Sequence, residues 1–292
     1  MSLFRFIAAE RANHSISLMC RLLGVSRSGF HAWERRPRSD RAHADAWLVE
    51  RITAIHRESR GTYGARRVHA ALRQQGVHAG RKRVERLMRE QRLSGSVPRK
   101  RARTTIRVPG VRAAADLVAR DFVPSAPNQL WVADIKYIPT AAGWLYLAAV
   151  VDCFSRRVVG WSMRDDLRAE LVVDALELAV ARRRPGPGLV HHSDQGSQYV
   201  SLLFGERCRE ADIEISMGCT SAYDNAVAES FFASLTKDLL RRHNLRSRAE
   251  ARTAVFDYIE TFYNPLRLHS TLDYLSPVDY ERMKEQKQDA AA

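Results

Sequence analysis

Apolar positions along the chain follow a helical period up to about residue 94 and a strand-like period after about residue 127. In ISLMCRLLGVSRSGFHAWERRP, Leu18, Leu22 and Leu23 mark one face of a short helix and Gly24 supplies a turn. Ser26 is placed to cap a second helix that carries Phe30 and Trp33. The layout predicts a helix-turn-helix over residues 1–40, whose second helix can enter a DNA major groove. A second helical module is expected over 45–93, with a stripe of Leu48, Ile52 and Ile55, a turn at RGTYG and a helix from Arg66 to Leu72. Its last helix, in GRKRVERLMREQRL, sets Val84, Leu87 and Met88 against a basic remainder of Arg81, Lys82, Arg83, Arg86 and Arg89. Residues 94–127 read as a linker, broken by Gly95, Pro98 and Pro109 and carrying Arg99, Lys100, Arg101, Arg103 and Arg107.

Over 128–240 the pattern changes to LWVADIKYIPT, WLYLAAVVDCF and RRVVGWSM, three β-rich runs joined by hairpin-length connections at 141–143 and 155–157. A helix from about Arg168 to Arg183 follows, closed by RRPGPG. Then come the short strand LVHHSD, the helix QYVSLLFGERCREA, the strand IEISM and a helix expected to run unbroken from about Asn225 to Leu240. Three antiparallel strands, a crossover helix and further alternating strands and helices predict a mixed α/β sheet. Residues 241–292 read as a C-terminal helical extension.

Composition sharpens this picture mainly through charge. The 292 residues carry a net charge of +14, but it is unevenly spread. Residues 1–120 hold 27 Lys and Arg against 9 Asp and Glu, and the rest holds 20 against 24. The N-terminal half therefore reads as a surface for a polyanion, and duplex DNA is the natural one. The longest apolar run, Leu145 to Asp152, has strand length, so no membrane helix is expected. The first residues hold an early Glu10 and no apolar core of signal-peptide length, and a cytoplasmic, nucleoid-associated protein is expected. Cys20, Cys153, Cys208 and Cys219 form no C-x-x-C pair. A His191/His192/Cys208/Cys219 metal cage is conceivable, but buried thiols are the better reading.

Three acids stand amid apolar neighbours: Asp134 in the first strand run, Asp194 ending LVHHSD, and Glu229 in YDNAVAESFF. Converging carboxylates repel unless a divalent cation holds them, and all-oxygen ligands suit Mg²⁺ or Mn²⁺. Two such ions about 4 Å apart can activate an attacking oxygen and stabilise a leaving one across a phosphate. Spread over 96 residues, the three acids on their own leave a metal site open.

WVADIKYI, GWLYLAAVVDCFSRRVVGWSM, HHSDQGSQYVS and YDNAVAESFF, in this order, closely resemble the DDE transposases of the IS3 family, relatives of retroviral integrases. RGTYGARRVHAAL, RKRVERLM and YIETFYNPLRLHSTLDYLSP extend the resemblance over nearly the whole chain. It implies a ribonuclease-H-like core preceded by all-α DNA-binding modules. It maps the family's catalytic, metal-holding carboxylates onto Asp134, Asp194 and Glu229, with two Mg²⁺ or Mn²⁺ ions per active site. Gln195 and Gly196 would shape the loop behind the second carboxylate, and Asn225 the start of the third one's helix. Asp152 reads as a turn-capping aspartate. The implied activity is DNA cleavage and strand transfer at insertion-sequence ends, with element-end and target DNA as partners and a homo-oligomer on the DNA. Ser26, Arg27, Arg66, Arg67, Arg81, Lys82, Arg83, Arg99, Lys100, Arg101, Arg103 and Lys237 are the candidate DNA contacts.

A ribonuclease-H-type nuclease and a non-catalytic DNA-binding regulator are the other readings. The basic N-terminal half argues against the first, and the three carboxylates in their motifs argue against the second. Two departures from the family pattern stand out. The lysine usual seven positions after the glutamate falls at Lys237, leaving Thr236 in its place. Members are also often fused to an upstream reading frame that supplies a leucine zipper, and this chain has no sustained heptads, so a downstream-frame product is expected.

Overall fold

The computed structural model describes residues 3–35, 39–96, 114–119, 121–218 and 225–290. Near the N-terminus, α1 (Leu3–Glu10), α2 (Ile16–Leu22) and α3 (Arg27–Arg35) enclose Ile7, Met19, Cys20 and Phe30. Ser26 caps α3 by accepting the Gly29 N–H at 2.9 Å, as its position predicts. The buried face of α2 differs from the expected leucine stripe. Met19 and Cys20 are buried, with Ile16 and Leu23 packed beside them, whereas Leu18 and Leu22 are 38% and 73% exposed. An i, i+3, i+4, i+7 face docks on α1 and Phe30, and that rotates the two leucines outward. The helix α1, whose Phe4 ring meets Phe30 and Trp33, escaped the sequence reading.

α4 (Asp40–Glu58) follows, and the stripe of Leu48, Ile52 and Ile55 is buried as its spacing predicts. The chain divides within this helix into two compact units, Met1–Thr53 and Ala54–Ala292. In the second unit, α5 (Ala65–Gln74) and α6 (Arg81–Glu90) pack on each other through Val68, Leu72, Val84, Leu87 and Met88. This helical pair is fastened to a segment near the C-terminus. Arg60 donates to Asp257 at 2.6 Å, and the Tyr63 hydroxyl accepts the Leu268 N–H at 2.8 Å while donating to the Leu266 carbonyl at 3.2 Å.

Residues 130–217 build one five-stranded sheet in the order β3-β2-β1-β4-β5. β1 (Leu130–Thr140), β2 (Gly143–Asp152) and β3 (Val158–Arg164) form the antiparallel meander that the alternating runs predict. α7 (Glu170–Arg183) then crosses over, and β4 (Leu189–Ser193) lies parallel to β1. α8 (Leu202–Glu210) leads to β5 (Ile213–Met217), parallel to β4. α8 starts later than QYVSLLFGERCREA implies, because Ser201 caps it by accepting the Phe204 N–H. Mixed pairing in this order, with helices on both faces, is the ribonuclease-H-like arrangement.

Strand alternation sorts residues between the two faces. Trp131, Ala133, Ala148 and Val150 pack with α7 and α8 residues in one core. Gly160 permits the close approach of α7, since a Cβ there would lie 2.2 Å from the Ala175 carbonyl oxygen. The other face, carrying Val132, Asp134 and Ile138, meets α9 (Ala226–Leu235) and α10 (Arg248–Asp257). Residues Tyr258–Tyr263 continue α10 as a π-helical turn, and α11 (Pro277–Asp289) ends the fold.

The expected unbroken helix to Leu240 is corrected: α-helical geometry stops at Leu235, and Thr236–Leu240 form a π-helical turn. The Thr236 hydroxyl donates to the Phe232 carbonyl at 2.6 Å, back-bonding of the kind that perturbs a helix. One turn further, Arg241 N–H reaches Thr236 O across the wide turn.

Candidate active site

Asp134 and Asp194 are brought together by strand register. β1 and β4 run parallel with Val132 beside His192, so continuing in step sets Asp194, one residue beyond β4, beside Asp134. Adjacent strands lie about 4.8 Å apart, which leaves the two carboxylates as near neighbours. Asp134 Oδ1 accepts its own neighbour's N–H, from Ile135, at 2.7 Å. Asp194 Oδ1 accepts the Gly196 N–H at 3.1 Å, and a Cβ on Gly196 would stand only 3.0 Å from that oxygen.

Glu229 lies in the first turn of α9. The start of that helix is pinned to β1 beside Asp134: Asn225 is buried and its Nδ2 donates to the Ala133 carbonyl at 2.7 Å. The electrostatics register the crowding. Burial, then the Asp194 charge and more weakly Glu229, raises the Asp134 carboxyl from 3.8 to about 7, against the Ile135 N–H and Lys136. Burial likewise raises Asp194, opposed by the Gly196 N–H. Side by side, these acids are the donor set a hard divalent cation neutralises. Among the described residues, no three His, Cys, Asp or Glu side chains stand close enough to grip a metal as they lie.

The buried acid that ends β2 has a structural task. Asp152 accepts the Phe154 N–H and the Asn128 N–H, each at 2.8 Å, and lies 3.5 Å from Arg183. It caps the turn after β2. The histidine–cysteine cage does not form among the described residues, and Cys219 lies outside them. His191 is buried against Tyr199 and Phe204, and burial, with His192, pulls its pKa down to about 4. His192 Nδ1 pairs with the Ser216 hydroxyl at 2.8 Å, and Cys20, Cys153 and Cys208 are buried free thiols.

The candidate DNA contacts fall into three groups. Arg27 on α3, Arg66 on α5, and Arg81 and Lys82 on α6 are exposed, Arg83 is half-buried, and Ser26 is exposed while capping α3. Arg67 turns inward, its Nε donating to the Leu268 carbonyl at 3.0 Å, and Lys237 is half-buried. Arg99, Lys100, Arg101 and Arg103 lie outside the described residues.

Sequence reasoning missed two buried ionic centres. Glu281 on α11 accepts from Ser155, Arg157 and Arg183 at 2.7–3.0 Å. Asp238 pairs with Arg267 at 2.8 Å. The signal for Asp238 was present: it extends the buried stripe Ala228, Phe231, Leu235 by three more residues, where an acid demands a partner.

Family models described as "Integrase core domain" match residues 124–222 and 229–284, and one described as "HTH-like domain" matches 42–101, over the second helical module. Transposase InsF for insertion sequence IS3A from Escherichia coli (strain K12) is 39% identical over 285 residues, covering 94% of this chain and 97% of that protein. The chain belongs to the IS3 family of insertion-sequence transposases. The transposase for insertion sequence element IS904 from Lactococcus lactis is also 39% identical, over 85% of this chain and 98% of that protein. The HTLV-2 integrase catalytic core domain, solved in complex with magnesium, aligns at TM-score 0.41 and 20% identity over 54% of this chain and 98% of that one.

Proposed function

We propose that this family member cuts and joins DNA at the ends of an insertion sequence, using Asp134, Asp194 and Glu229 as its catalytic carboxylates. The supporting observation is the parallel pairing of β1 and β4, which sets Asp194, one residue beyond β4, in step with Asp134, with the start of the Glu229 helix pinned to β1 by Asn225. In this reading the three acids hold two Mg²⁺ or Mn²⁺ ions, which when bound sharpen the attacking oxygen and stabilise the leaving one. The chain's own part is positional. The Ile135 and Gly196 N–H groups orient the aspartates, and Asn225 fixes the approach of Glu229.

Water first attacks the phosphodiester at an element end and releases a 3′-hydroxyl. That hydroxyl then attacks a target phosphodiester and displaces the target strand's own 3′-hydroxyl, so this second step exchanges one phosphodiester bond for another and water is consumed only in the first. The helix-turn-helix over 1–40 and the module over 45–93 carry the DNA, through Ser26, Arg27, Arg66, Arg81, Lys82 and Arg83, with the basic linker over 94–127 alongside. Several copies assemble on paired ends, and a DNA substrate places the work at the nucleoid.

The test is joining of labelled element ends to a plasmid in Mg²⁺. Asp134→Asn, Asp194→Asn and Glu229→Gln should each abolish cutting and joining while keeping end binding. Cutting near the parent's rate in any variant removes that residue from the site. Cutting without joining by the parent leaves a nuclease.

A further inference from the structure

Beyond Asp134, the β1–β2 hairpin shows solvent a cluster of aromatic rings to which cutting and joining assign no task. Tyr137 on β1 is 48% exposed and Trp144 on β2 is 51% exposed, both near the hairpin's end. Register explains why they meet. Tyr137 pairs with Tyr146, and Pro139 with Trp144, so the three rings fall on one face of the sheet. The Tyr137 ring stands 5.0 Å from that of Tyr146 at 87°, and 6.2 Å from that of Trp144 at 64°. Tyr146 is half-buried against the sheet's core and backs the other two. Arg248 on α10 steadies the hairpin, its Nε donating to the Trp144 carbonyl at 3.0 Å.

Position fixes what these rings can meet. Tyr137 follows Asp134 by three residues, about 10 Å along a strand at ~3.3 Å each. The loop that carries Asp194 turns onto the same face as the rings: Gln198 Nε2 donates to the Leu167 carbonyl at 2.8 Å, and Tyr199 is buried in the core with Trp131 and Ala133. The Tyr137 hydroxyl is accordingly raised in pKa by burial, then by Tyr146 and by the charges of Asp194 and Asp134. DNA held at those carboxylates brings bases about three steps of ~3.4 Å away against the rings. A nucleobase offers a flat π-face to an aromatic side chain whatever its identity. Inside a duplex both faces are already stacked, so an unpaired base is the one that can accept such a partner.

We propose that Tyr137 and Trp144, backed by Tyr146, form a stacking platform for an unpaired base close to the phosphodiester being cut. The inference rests on the cut-and-join reading and adds to it the state of the DNA: the last base pairs beside the reacting phosphate are opened, and the rings keep a freed base from pairing again. The platform reads no sequence, because stacking accepts every base.

The test uses the full chain in Ca²⁺ and two element-end duplexes of about 20 bp, one fully paired and one mismatched at the pairs beside the cut. By fluorescence anisotropy the parent should bind the mismatched duplex about tenfold more tightly. Tyr137→Leu together with Trp144→Leu should reduce that preference to within about twofold, while Tyr137→Phe, which keeps a ring, should retain it. The salt slope should stay the same in every variant, because a ring displaces no counterion. In the parent, 2-aminopurine at a mismatched position should lose about half its fluorescence or more on binding, as a stacked base does; this arm needs no substitution, so it holds even where the leucine variant fails to fold. A parent without the preference, a preference kept in the double variant, an equal loss of affinity for both duplexes, or unquenched 2-aminopurine overturns the proposal. So does a change of oligomeric state in the double variant, which would make the rings a seat for a second copy. Mg²⁺-dependent cutting, lost in Asp194→Asn, judges the cut-and-join reading separately.

Discussion

Asp134→Asn should make the metal-free protein more stable at pH 8 and change little at pH 4. The Asp134 carboxyl titrates near 7 in the folded chain, against an ordinary value of 3.8. Between those values the native state holds a proton that the unfolded chain has released, so stability falls as pH rises through the window. The penalty is complete above about pH 7 and absent below about pH 4. A displacement of about three in pKa corresponds to at most ~4 kcal/mol. Asp194 and Glu229 share the repulsion and the site keeps some solvent, so a gain of about 1.5–3 kcal/mol is expected from the substitution at pH 8. Asparagine keeps the Oδ1 that accepts the Ile135 N–H, so no hydrogen bond is lost with the charge. The assay is urea denaturation in EDTA between pH 4 and 8. Parent stability should fall with pH while that of the variant stays comparatively flat. Millimolar Mg²⁺ should then stabilise the parent at pH 8 and leave the variant nearly unmoved, because metal binding to the folded state alone adds to its stability. A difference between the two proteins that is constant with pH, or a variant less stable than the parent at pH 8, would refute the reasoning.

Two further substitutions probe the frame. Glu281→Ala strands Arg183 and Arg157 at the α11 contact and should cost about 3–5 kcal/mol, read by thermal denaturation; a loss below ~1 kcal/mol would show the centre to be dispensable. Asn225→Ala frees the start of α9 from the Ala133 carbonyl and should slow single-turnover cutting by about a hundredfold with DNA affinity kept; a rate within threefold of the parent would separate that clamp from catalysis.

The core was legible because its signals are local. Alternating runs at 130–140 and 143–152 need one face for α7 and another for α9, and the two-residue turn between them fixes register. Once β4 pairs in parallel with β1, the position of Asp194 follows from counting. What stayed hidden depends on partners distant in sequence. Met19 and Cys20 win the inner face of α2 over Leu18 and Leu22 only because α1 and Phe30 lie against them. Arg67 reads as one more basic residue of α5 until the Leu268 carbonyl, 201 positions away, claims its Nε.

The wide turn at Thr236 shows how one such partner reshapes a functional surface. On a regular helix at ~100° per residue, position 236 comes within ~20° of the Glu229 face and position 237 lies ~80° round from it. A hydroxyl at 236 would then meet DNA. Instead Thr236 spends its hydroxyl on the Phe232 carbonyl, and α-helical geometry ends at that point. Asp238, nine residues after Glu229 and within the π-helical turn, lies on the buried side, where Arg267 meets it. Glu229 and the Asp238–Arg267 salt bridge thus stand at two points of this segment, and the half-buried Lys237 next to Asp238 feels the charges of Arg67 and Arg267. Moving a lysine by one residue along this helix therefore does not discard its positive charge. It transfers that charge from the Glu229 face to a cluster anchored by Asp238, where guanidiniums drawn from two distant parts of the chain already stand.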